Sequence, residues 1–271
     1  MSIGHRSETG APLLELRHIY KTFNSGSVSE LKLFEDFSLS VNRGQFICII
    51  GSNGSGKTTL LNLLCGSETP DAGEIVLGGE NITKQPEFVR SRRIGRVFQD
   101  PSLGTCPQLT ILENMSLADH KGKRFGLSSG VSRKKIDEYR SKLELLKLGL
   151  EDKLDLPVAN LSGGQRQALS LLICTMTPID LLILDEHTAA LDPASSENVM
   201  ELTRRLVLEQ HLTTLMVTHN LRFALAYGDR LLMMHRGRAV LDASDGEKEA
   251  LSLRDLTDRF NEISIEDGND L

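Results

Sequence analysis

Gly51-Ser52-Asn53-Gly54-Ser55-Gly56-Lys57-Thr58 is the stretch that decides the fold, because its spacing is that of a P-loop, G-x-x-x-x-G-K-[ST]. The apolar residues 45–50 before it predict a buried strand, and residues 59–64 after it predict the first turns of a helix. Glycines let backbone N–H groups approach a phosphate closely, and a helix N-terminus adds its dipole. A Gly/Ser turn that merely joins strand to helix is the alternative. The flanking elements favour a nucleotide site.

The side chains at the end of the P-loop have separate expected tasks. Lys57 is placed to meet the β- and γ-phosphates of a nucleotide, and the Thr58 hydroxyl can ligate Mg²⁺. The predicted nucleotide-binding residues of this stretch are Gly51, Ser52, Asn53, Gly54, Ser55, Gly56, Lys57, Thr58 and Thr59.

Composition narrows the class of protein. The 271 residues suffice for one domain, or for one domain with a subdomain. The net charge of −6, from 31 basic and 37 acidic residues, argues against nucleic acid as the main partner. No apolar run approaches the ~20 residues of a membrane span, and residues 1–12 lack a signal peptide's apolar segment. We therefore expect a cytoplasmic chain whose scattered cysteines are reduced thiols.

The residues before residue 99 predict strands on both sides of the P-loop. Short turns between the strands imply antiparallel pairing at this end of the chain. The predicted strands are residues 13–19, 33–41, 74–77 and 94–98, with a loop at residues 21–26.

Residues 99–175 differ in character, and we interpret them as a helical subdomain inserted into an α/β core of residues 1–98 and 176–271. The spacing of apolar residues predicts helices at residues 111–118 and 134–148. We interpret the basic residues 121–135 as a solvated, mobile loop, with a position near anionic lipid headgroups as the less favoured alternative. The whole chain is predicted to be a single domain.

The α/β pattern resumes after residue 175. Apolar runs and helical spacing predict strands at residues 181–184 and 213–217, helices at 195–209 and 221–227, and a hairpin of strands 231–234 and 239–241. The acidic residues 262–271 are predicted to be frayed.

Asp185 and Glu186 end the apolar run of residues 181–184. A buried parallel strand delivers such a pair to its carboxyl end, where ligands bind in open α/β sheets. Asp185 would hold Mg²⁺, directly or through water, and Glu186 would face the attacking water as general base. A strand that simply ends in a polar turn is the alternative, and the presence of a P-loop favours the functional interpretation.

Ser162-Gly163-Gly164-Gln165 forms the third element, after Leu161. Ser162 and Gln165 fit a capping box at a helix start. Two glycines in a first helical turn weaken the helix by about 1 kcal/mol each relative to alanine, and capping alone does not require them. A second surface that approaches a phosphate would require them.

With this element the chain resembles the ABC transporter ATPases, whose signature motif matches residues 161–165, and the resemblance covers nearly the whole chain. It implies a RecA-like P-loop NTPase core, with an antiparallel β subdomain and an inserted α-helical subdomain. Gln99 matches the family's Q-loop glutamine, which senses Mg²⁺ and the γ-phosphate. Asp192 matches the D-loop, and His219 matches the switch histidine that contacts the γ-phosphate. Phe23 matches the aromatic that stacks on adenine, although Tyr20 could serve instead.

His187 departs from the family, because most relatives have proline after the catalytic glutamate. The sequence Asp-Glu-His-Thr resembles a branch of bacterial importers often assigned to amino acids, tryptophan and tyrosine among them. Loss of proline's fixed φ could alter the backbone just beyond Glu186. We expect hydrolysis to persist, because both carboxylates remain.

The resemblance also implies partners and a mechanism. Two copies would bind head to tail, with ATP and Mg²⁺ between the P-loop of one copy and Ser162, Gly163, Gly164 and Gln165 of the other. A separate transmembrane permease would dock in a groove near residues 99–110, lined by Leu103 and Leu109, with a substrate-binding protein as a further partner. The chain would then lie on the inner face of the cell membrane.

The sequence argues against two other functions and leaves a third open. A soluble ABC ATPase acting on nucleic acid or ribosomes usually has a long coiled coil or two cassettes, and this chain has neither pattern. A non-hydrolysing switch conflicts with Glu186. An export or lipoprotein-release ATPase is the third alternative.

Overall fold

The computed structural model describes residues 11–123, 130–131 and 133–266. Its strands are β1 Leu14–Phe23, β2 Leu31–Val41, β3 Phe46–Gly51, β4 Ala72–Leu77, β5 Glu80–Asn81, β6 Ile94–Val97, β7 Leu181–Asp185, β8 Thr213–Val217, β9 Arg230–His235 and β10 Arg238–Ser244. Its helices are α1 Lys57–Cys65, α2 Glu87–Arg90, α3 Ile111–Asp119, α4 Ile136–Glu144, α5 Gly163–Thr175, α6 Pro193–Gln210, α7 Leu221–Ala226, α8 Asp245–Ala250 and α9 Leu253–Glu266. Short 3₁₀ segments lie at Pro101–Leu103, Arg133–Lys135 and Val158–Asn160.

Two sheets organise these elements. A six-stranded sheet has the order β10-β9-β3-β8-β7-β6, in which β9 through β6 are parallel and β10 pairs with β9 antiparallel. A four-stranded antiparallel sheet has the order β2-β1-β4-β5. Strands β3 and β8 are buried along their whole length, which explains why they are continuous apolar runs rather than alternating ones. The predicted fold class is confirmed.

The six-stranded sheet separates two apolar cores. Along β7, Leu181 and Ile183 pack in the core that also contains α1 and the antiparallel sheet. Leu182 and Leu184 pack in the other core, which contains residues of α3 to α7 and α9. Successive side chains of a strand point to opposite faces, so one apolar run supplies both cores. Helix α1, which follows the P-loop, is thereby fixed on one face of the sheet.

Several predicted boundaries were wrong. Strand β1 continues through Phe23, which pairs with Leu31, so only the later part of the predicted loop at residues 21–26 is a loop. Helix α4 is shorter than predicted and begins after a 3₁₀ turn. Helix α9 extends to Glu266, so residues 262–266 are helical rather than frayed.

Other predictions concern residues that the structure covers in part or not at all. Residues 124–129 and 132 of the predicted basic loop, and residues 267–271 of the acidic end, lie outside the described residues. The helices α3, α4 and α5 do lie between β6 and β7, as predicted. The subdomain boundary at residues 99–175 stays a prediction.

The cysteines agree with the expectation of reduced thiols. Cys48, Cys65, Cys106 and Cys174 are free thiols, of which Cys106 is exposed. Burial raises the pKa of Cys48 to about 12, so its thiol stays protonated. Within residues 11–123, 130–131 and 133–266, no helix combines the length and apolarity that a bilayer crossing requires.

Arg90 anchors the C-terminus of α1. Its guanidinium is buried and donates hydrogen bonds to the carbonyls of Leu63 (2.6 Å) and Leu64 (3.0 Å), and to two further carbonyls just before α2. The last carbonyls of a helix have no partner within the helix, and a cation at this end also interacts favourably with the helix dipole. We expect Arg90→Met to lower the free energy of unfolding by about 3 kcal/mol, because these buried carbonyls would lose their donors.

Urea unfolding of Arg90→Met measures this loss. The control is Arg92→Met, which changes the same charge at an exposed position of the same segment and should stay within about 0.5 kcal/mol of the wild type. Equal stability of the two variants would contradict an anchoring role for Arg90.

Candidate functional site

The P-loop, Gln99, the Asp185–Glu186 pair and His219 come together because four neighbouring parallel strands end at one edge. Strand β3 ends at Gly51, where the P-loop begins, and β7 ends at Asp185. Strand β8 ends just before His219, and β6 ends two residues before Gln99. The order β3-β8-β7-β6 places these four segments side by side at the carboxyl edge of the sheet. That edge is where α/β sheets bind ligands.

The P-loop is held in a compact form by Lys57. Its ammonium group donates hydrogen bonds to the carbonyls of Gly51 (2.8 Å) and Ser52 (2.8 Å). A Cβ at Gly51 would lie 2.4 Å from the Met234 carbonyl oxygen, so only glycine fits against β9. Burial is the largest cause that lowers the pKa of Lys57, and the nearby Glu186 and Asp185 oppose it. The loop thus positions a cation beside the carboxylates.

Glu186 and His219 form a direct pair. Glu186 Oε1 lies 2.7 Å from His219 Nε2, and the two side chains are 20% and 46% exposed. Glu186 has φ +48°, a left-handed conformation that costs energy in a non-glycine residue, and its N–H donates to the Val217 carbonyl at 3.0 Å. This backbone turn directs the carboxylate away from the end of β7 and toward the β8 side of the edge. The sequence predicted both residues but not their contact.

Arg96 is a site residue that the sequence analysis missed. Its Nη2 donates to Asp185 Oδ2 at 2.6 Å, and its Nη1 donates to Asn62 Oδ1 at 2.9 Å. No motif includes this position, which stands in the short apolar strand Ile94–Val97. A charged residue in such a strand was the available signal, because a charge buried there needs a partner.

The oxygen donors at this edge suit Mg²⁺. Thr58 and Gln99 are exposed, and Asp185 is partly buried. Hydroxyl, amide and carboxylate oxygens are hard ligands of the kind that Mg²⁺ takes when most of its other ligands are phosphates and water. Across the residues that the structure describes, no three His, Cys, Asp or Glu side chains form a metal-binding group. The donor set therefore fits a nucleotide-bound ion rather than a protein-caged one.

The predicted capping box at Ser162 is present. The Ser162 hydroxyl accepts from the Gln165 N–H at 3.3 Å, and Gln165 Oε1 accepts from the Ser162 N–H at 3.1 Å. A Cβ at Gly164 would lie 3.2 Å from Ser195 at the start of α6. Close packing within the chain is thus a second reason for glycine at this position, in addition to the expected approach to a phosphate. Ser162 itself is exposed.

Asp192 caps the helix that packs against the signature residues. Its Oδ1 accepts from the Ser195 N–H at 3.0 Å, and Asp192 is exposed. The N-termini of α5 and α6 therefore lie next to each other with both capping residues open to solvent. An anion or a second chain could approach both tips at once.

Phe23 and Tyr20 lie on different sides of β1. Ile19 and Lys21 are buried, and the partly buried Phe23 packs on the same core, which contains Phe34. A Cβ at Gly56 of the P-loop would lie 3.1 Å from the Phe34 ring. Tyr20 alternates with these residues and is 42% exposed. Phe23 therefore lies on the face of β1 that is turned toward the P-loop, and Tyr20 lies on the opposite face.

A second predicted surface is a groove beside β6. A cavity of 580 Å³ lies between β6, α3 and α5, and Leu103, Phe98, Leu117 and Ile173 are among its lining residues. Leu103 is 67% exposed. Leu109 does not line this cavity, so that part of the prediction was wrong. Leu109 instead lies beside the 3₁₀ segment Val158–Asn160, where its carbonyl accepts from the Val158 N–H.

His187 is buried and hydrogen-bonded to helix α6. Its Nε2 lies 3.2 Å from Thr203 Oγ1, and the Thr203 hydroxyl donates to the Val199 carbonyl at 2.7 Å. Because that hydroxyl proton is already used, His187 must donate from Nε2. Burial lowers the pKa of His187 to about 4, so the ring is neutral at pH 7.

This histidine makes stability fall in mild acid. The folded pKa of about 4 lies below the ordinary 6.5, so the unfolded chain takes up the proton first as pH falls. The contribution of neutral His187 to the free energy of unfolding is complete above pH 6.5 and is lost as the pH falls from 6.5 to 4. We expect the wild type to lose about 2 kcal/mol more than His187→Gln between pH 7.5 and pH 5, measured by urea unfolding. His211→Gln, at an exposed position, should show the same loss as the wild type. A loss in His187→Gln as large as that of the wild type would contradict the assignment.

Comparison with known proteins agrees with this geometry. A family model described as ABC transporter matches residues 34–189. The tyrosine transport ATP-binding protein of Clostridioides difficile (strain R20291) is 46% identical over 248 residues, which cover 92% of this chain and 98% of that protein. The xylose/arabinose import ATP-binding protein of Sulfolobus acidocaldarius is 30% identical over 254 residues, 93% of this chain and 95% of that protein.

The chain is also similar to a cassette that was solved as a dimer with bound nucleotide. A dimeric ATP-binding cassette in a post-hydrolysis state, bound to ADP and Pi, is similar with a TM-score of 0.70 and 28% identity, over 85% of this chain and 98% of that chain. The strands that meet at one edge, the P-loop and the paired carboxylates are thus parts of a known nucleotide-hydrolysing fold. The chain belongs to the ABC transporter family and is one of its ATP-binding and ATP-hydrolysing subunits.

Proposed function

We propose that this chain drives import of an aromatic amino acid through a separate permease, with ATP hydrolysed at the carboxyl edge of the six-stranded sheet. The meeting of the P-loop, Asp185, Glu186 and His219 on adjacent strand ends supports the hydrolysis. The substrate class rests on the 46% identity to the tyrosine transport ATP-binding protein. In this proposal the backbone N–H groups of residues 51–59 cradle the phosphates. Lys57 leaves the carbonyls it contacts now and pairs with the β- and γ-phosphates.

The metal site would use oxygen atoms of Thr58, Gln99 and Asp185. Mg²⁺, when bound, supplies positive charge to the phosphate oxygens and so favours attack at the γ-phosphorus. The side chains have the simpler task of orienting those oxygens. Gln99 lies two residues after β6, so a shift of the groove beside β6 would move it.

Glu186 would accept a proton from the attacking water. Its carboxylate is 20% exposed and therefore open to a water molecule. His219 holds Oε1 at 2.7 Å, which leaves Oε2 for the water. With nucleotide present, His219 would turn to the γ-phosphate, and Phe23 would stack on the adenine ring.

The second half of the site would come from another copy of the chain. Ser162, Gly163, Gly164 and Gln165 form a helix tip with an open N-terminus, and Asp192 lies beside it. A head-to-tail dimer would place this tip over the phosphates bound by the partner's P-loop. Hydrolysis would then require dimer closure, in the way that an arginine finger completes other phosphoryl-transfer sites.

The groove beside β6 would receive the permease. Its exposed Leu103 and the neighbouring apolar residues suit a helix that lays an apolar face into a groove. The chain would be held at the inner face of the membrane by this contact. A substrate-binding protein would deliver the amino acid from the other side of the membrane.

Co-expression with the neighbouring genes tests the transport assignment. We expect the chain to co-purify with a polytopic membrane protein, and we expect Leu103→Glu to weaken that association without changing ATP binding. Vesicles that contain the complex should take up tyrosine in preference to leucine. Recovery of the chain with ribosomes or nucleic acid would instead favour the soluble class of ABC ATPases.

A further inference from the structure

Arg96 connects three parts of the nucleotide site. It lies on β6, opposite Ile183 of β7, and side chains opposite each other in parallel strands share a face. Asp185 is two residues further along β7 and so lies on the same face. That face packs on α1, which begins with the P-loop lysine. The fold therefore places this guanidinium under the metal-binding edge.

The contacts of Arg96 occupy the Asp185 carboxylate. The Nη2–Oδ2 distance is 2.6 Å, and the side chains of Arg96 and Asp185 are only 14% and 17% exposed. The guanidinium is also held by Asn62 of α1 and lies over the ring of Phe98, with 4.8 Å to its centroid. Such a pair is strong because the fork of an arginine is rigid and poorly solvated there. Asp185 is thus neutralised within the chain itself.

The other charged groups of the edge also have hydrogen-bond partners within the chain. His219 holds Glu186 at 2.7 Å, and Lys57 donates to carbonyls of its own loop. Lys57 and His219 both have expected partners on the nucleotide. Arg96 has none, since Asn62 and Phe98 anchor it below the edge. Its effect on the site must therefore act through Asp185.

We propose that Arg96 is the counter-ion of Asp185 in the nucleotide-free chain, so that a divalent cation reaches this carboxylate together with the phosphates and not alone. This rests on the proposed role of Asp185 as a metal ligand. A cation that arrives alone gains too little to displace a buried, hydrogen-bonded guanidinium, whereas the phosphates of ATP supply further ligands and negative charge. Arg96 acts through another residue and is a positioning residue.

The test measures metal binding without turnover. Titration of the nucleotide-free protein with Mn²⁺, followed by electron paramagnetic resonance, reports binding of a divalent cation at Asp185. We expect Arg96→Met to bind Mn²⁺ at least about tenfold more tightly than the wild type, since each removed 1.4 kcal/mol of competition is a factor of ten. Arg96→Lys keeps the charge and should stay near the wild type. A second measurement compares the affinity for a fluorescent ATP analogue in Mg²⁺ with the affinity in EDTA. The ratio of these two affinities should be larger for Arg96→Met than for the wild type.

Two controls separate the possible outcomes. Arg93→Met removes the same charge from the same strand region, where Arg93 pairs with Asp180 and Glu80, and should leave Mn²⁺ binding unchanged. Addition of Asp185→Asn to Arg96→Met should abolish the gained binding. Unchanged or weaker Mn²⁺ binding by a folded Arg96→Met would overturn the counter-ion role. Mg²⁺-dependent nucleotide binding that survives Asp185→Asn alone would instead contradict the proposed metal site.

Discussion

Replacement of Glu186 by glutamine is expected to lower ATP turnover by about 10²- to 10⁴-fold, which is the usual contribution of a positioned general base. Glutamine keeps the size and one oxygen of the side chain but cannot accept the proton of the attacking water. ATP binding should persist, because the P-loop and Asp185 are unchanged. A dimer that closes on ATP and cannot hydrolyse it should therefore accumulate, with twice the mass of the 29.9 kDa chain.

Phosphate release and light scattering after addition of ATP measure the two effects together. Glu201→Gln is the matched control, because Glu201 is exposed and pairs with Arg204 at 3.3 Å on the surface of α6. This variant should turn over ATP like the wild type. Brisk phosphate release by Glu186→Gln would remove Glu186 from the role of general base.

Mixing two inactive variants is expected to restore activity if the site is shared between chains. Lys57→Ala should abolish turnover at the P-loop, and Ser162→Asp should place a negative charge where the partner's phosphates lie while it keeps a good N-cap. Each variant alone should lose at least about 10² in turnover. An equal mixture should recover roughly a quarter of the wild-type rate, since half of the head-to-tail dimers are mixed and each contains one intact site of two.

A second mixture is the control for this experiment. Lys57→Ala mixed with Glu186→Gln should recover no turnover. Both residues belong to the P-loop half of a site, so each of the two sites in a mixed dimer contains one inactivating substitution. Ser162→Asn, which caps the helix without a charge, should retain more activity than Ser162→Asp. Absence of recovery with Ser162→Asp, in a mixture shown to form mixed dimers, would place Ser162 in its own chain's site.

The site could be predicted from sequence wherever local geometry dictates the residue. The P-loop is recognised from the spacing of residues 51–58 between a strand and a helix, and the paired carboxylates follow a buried strand. The capping box at Ser162 was also readable, since its two hydrogen bonds join residues three apart. Such features depend on neighbours in the chain, which a sequence displays directly.

The features that escaped prediction depend on contacts between distant segments. Arg96 meets Asp185 across 89 residues, and His187 meets Thr203 on another element. The extension of β1 through Phe23 likewise depends on pairing with β2, which overrides the turn propensity of the following Asn24 and Ser25. Strand order and side-chain rotamers decide these contacts, and neither can be read from a single chain.

Helix α6 joins three of the features described above along one rigid element. Its cap Asp192 lies beside the signature tip, Thr203 holds His187, and Arg205 donates to the Leu145 carbonyl just after α4. With 18 residues it is about 27 Å long. A displacement of α4 that moves Leu145 is therefore expected to shift the C-terminal part of α6 and, because the helix is one continuous element, Asp192 at its other end.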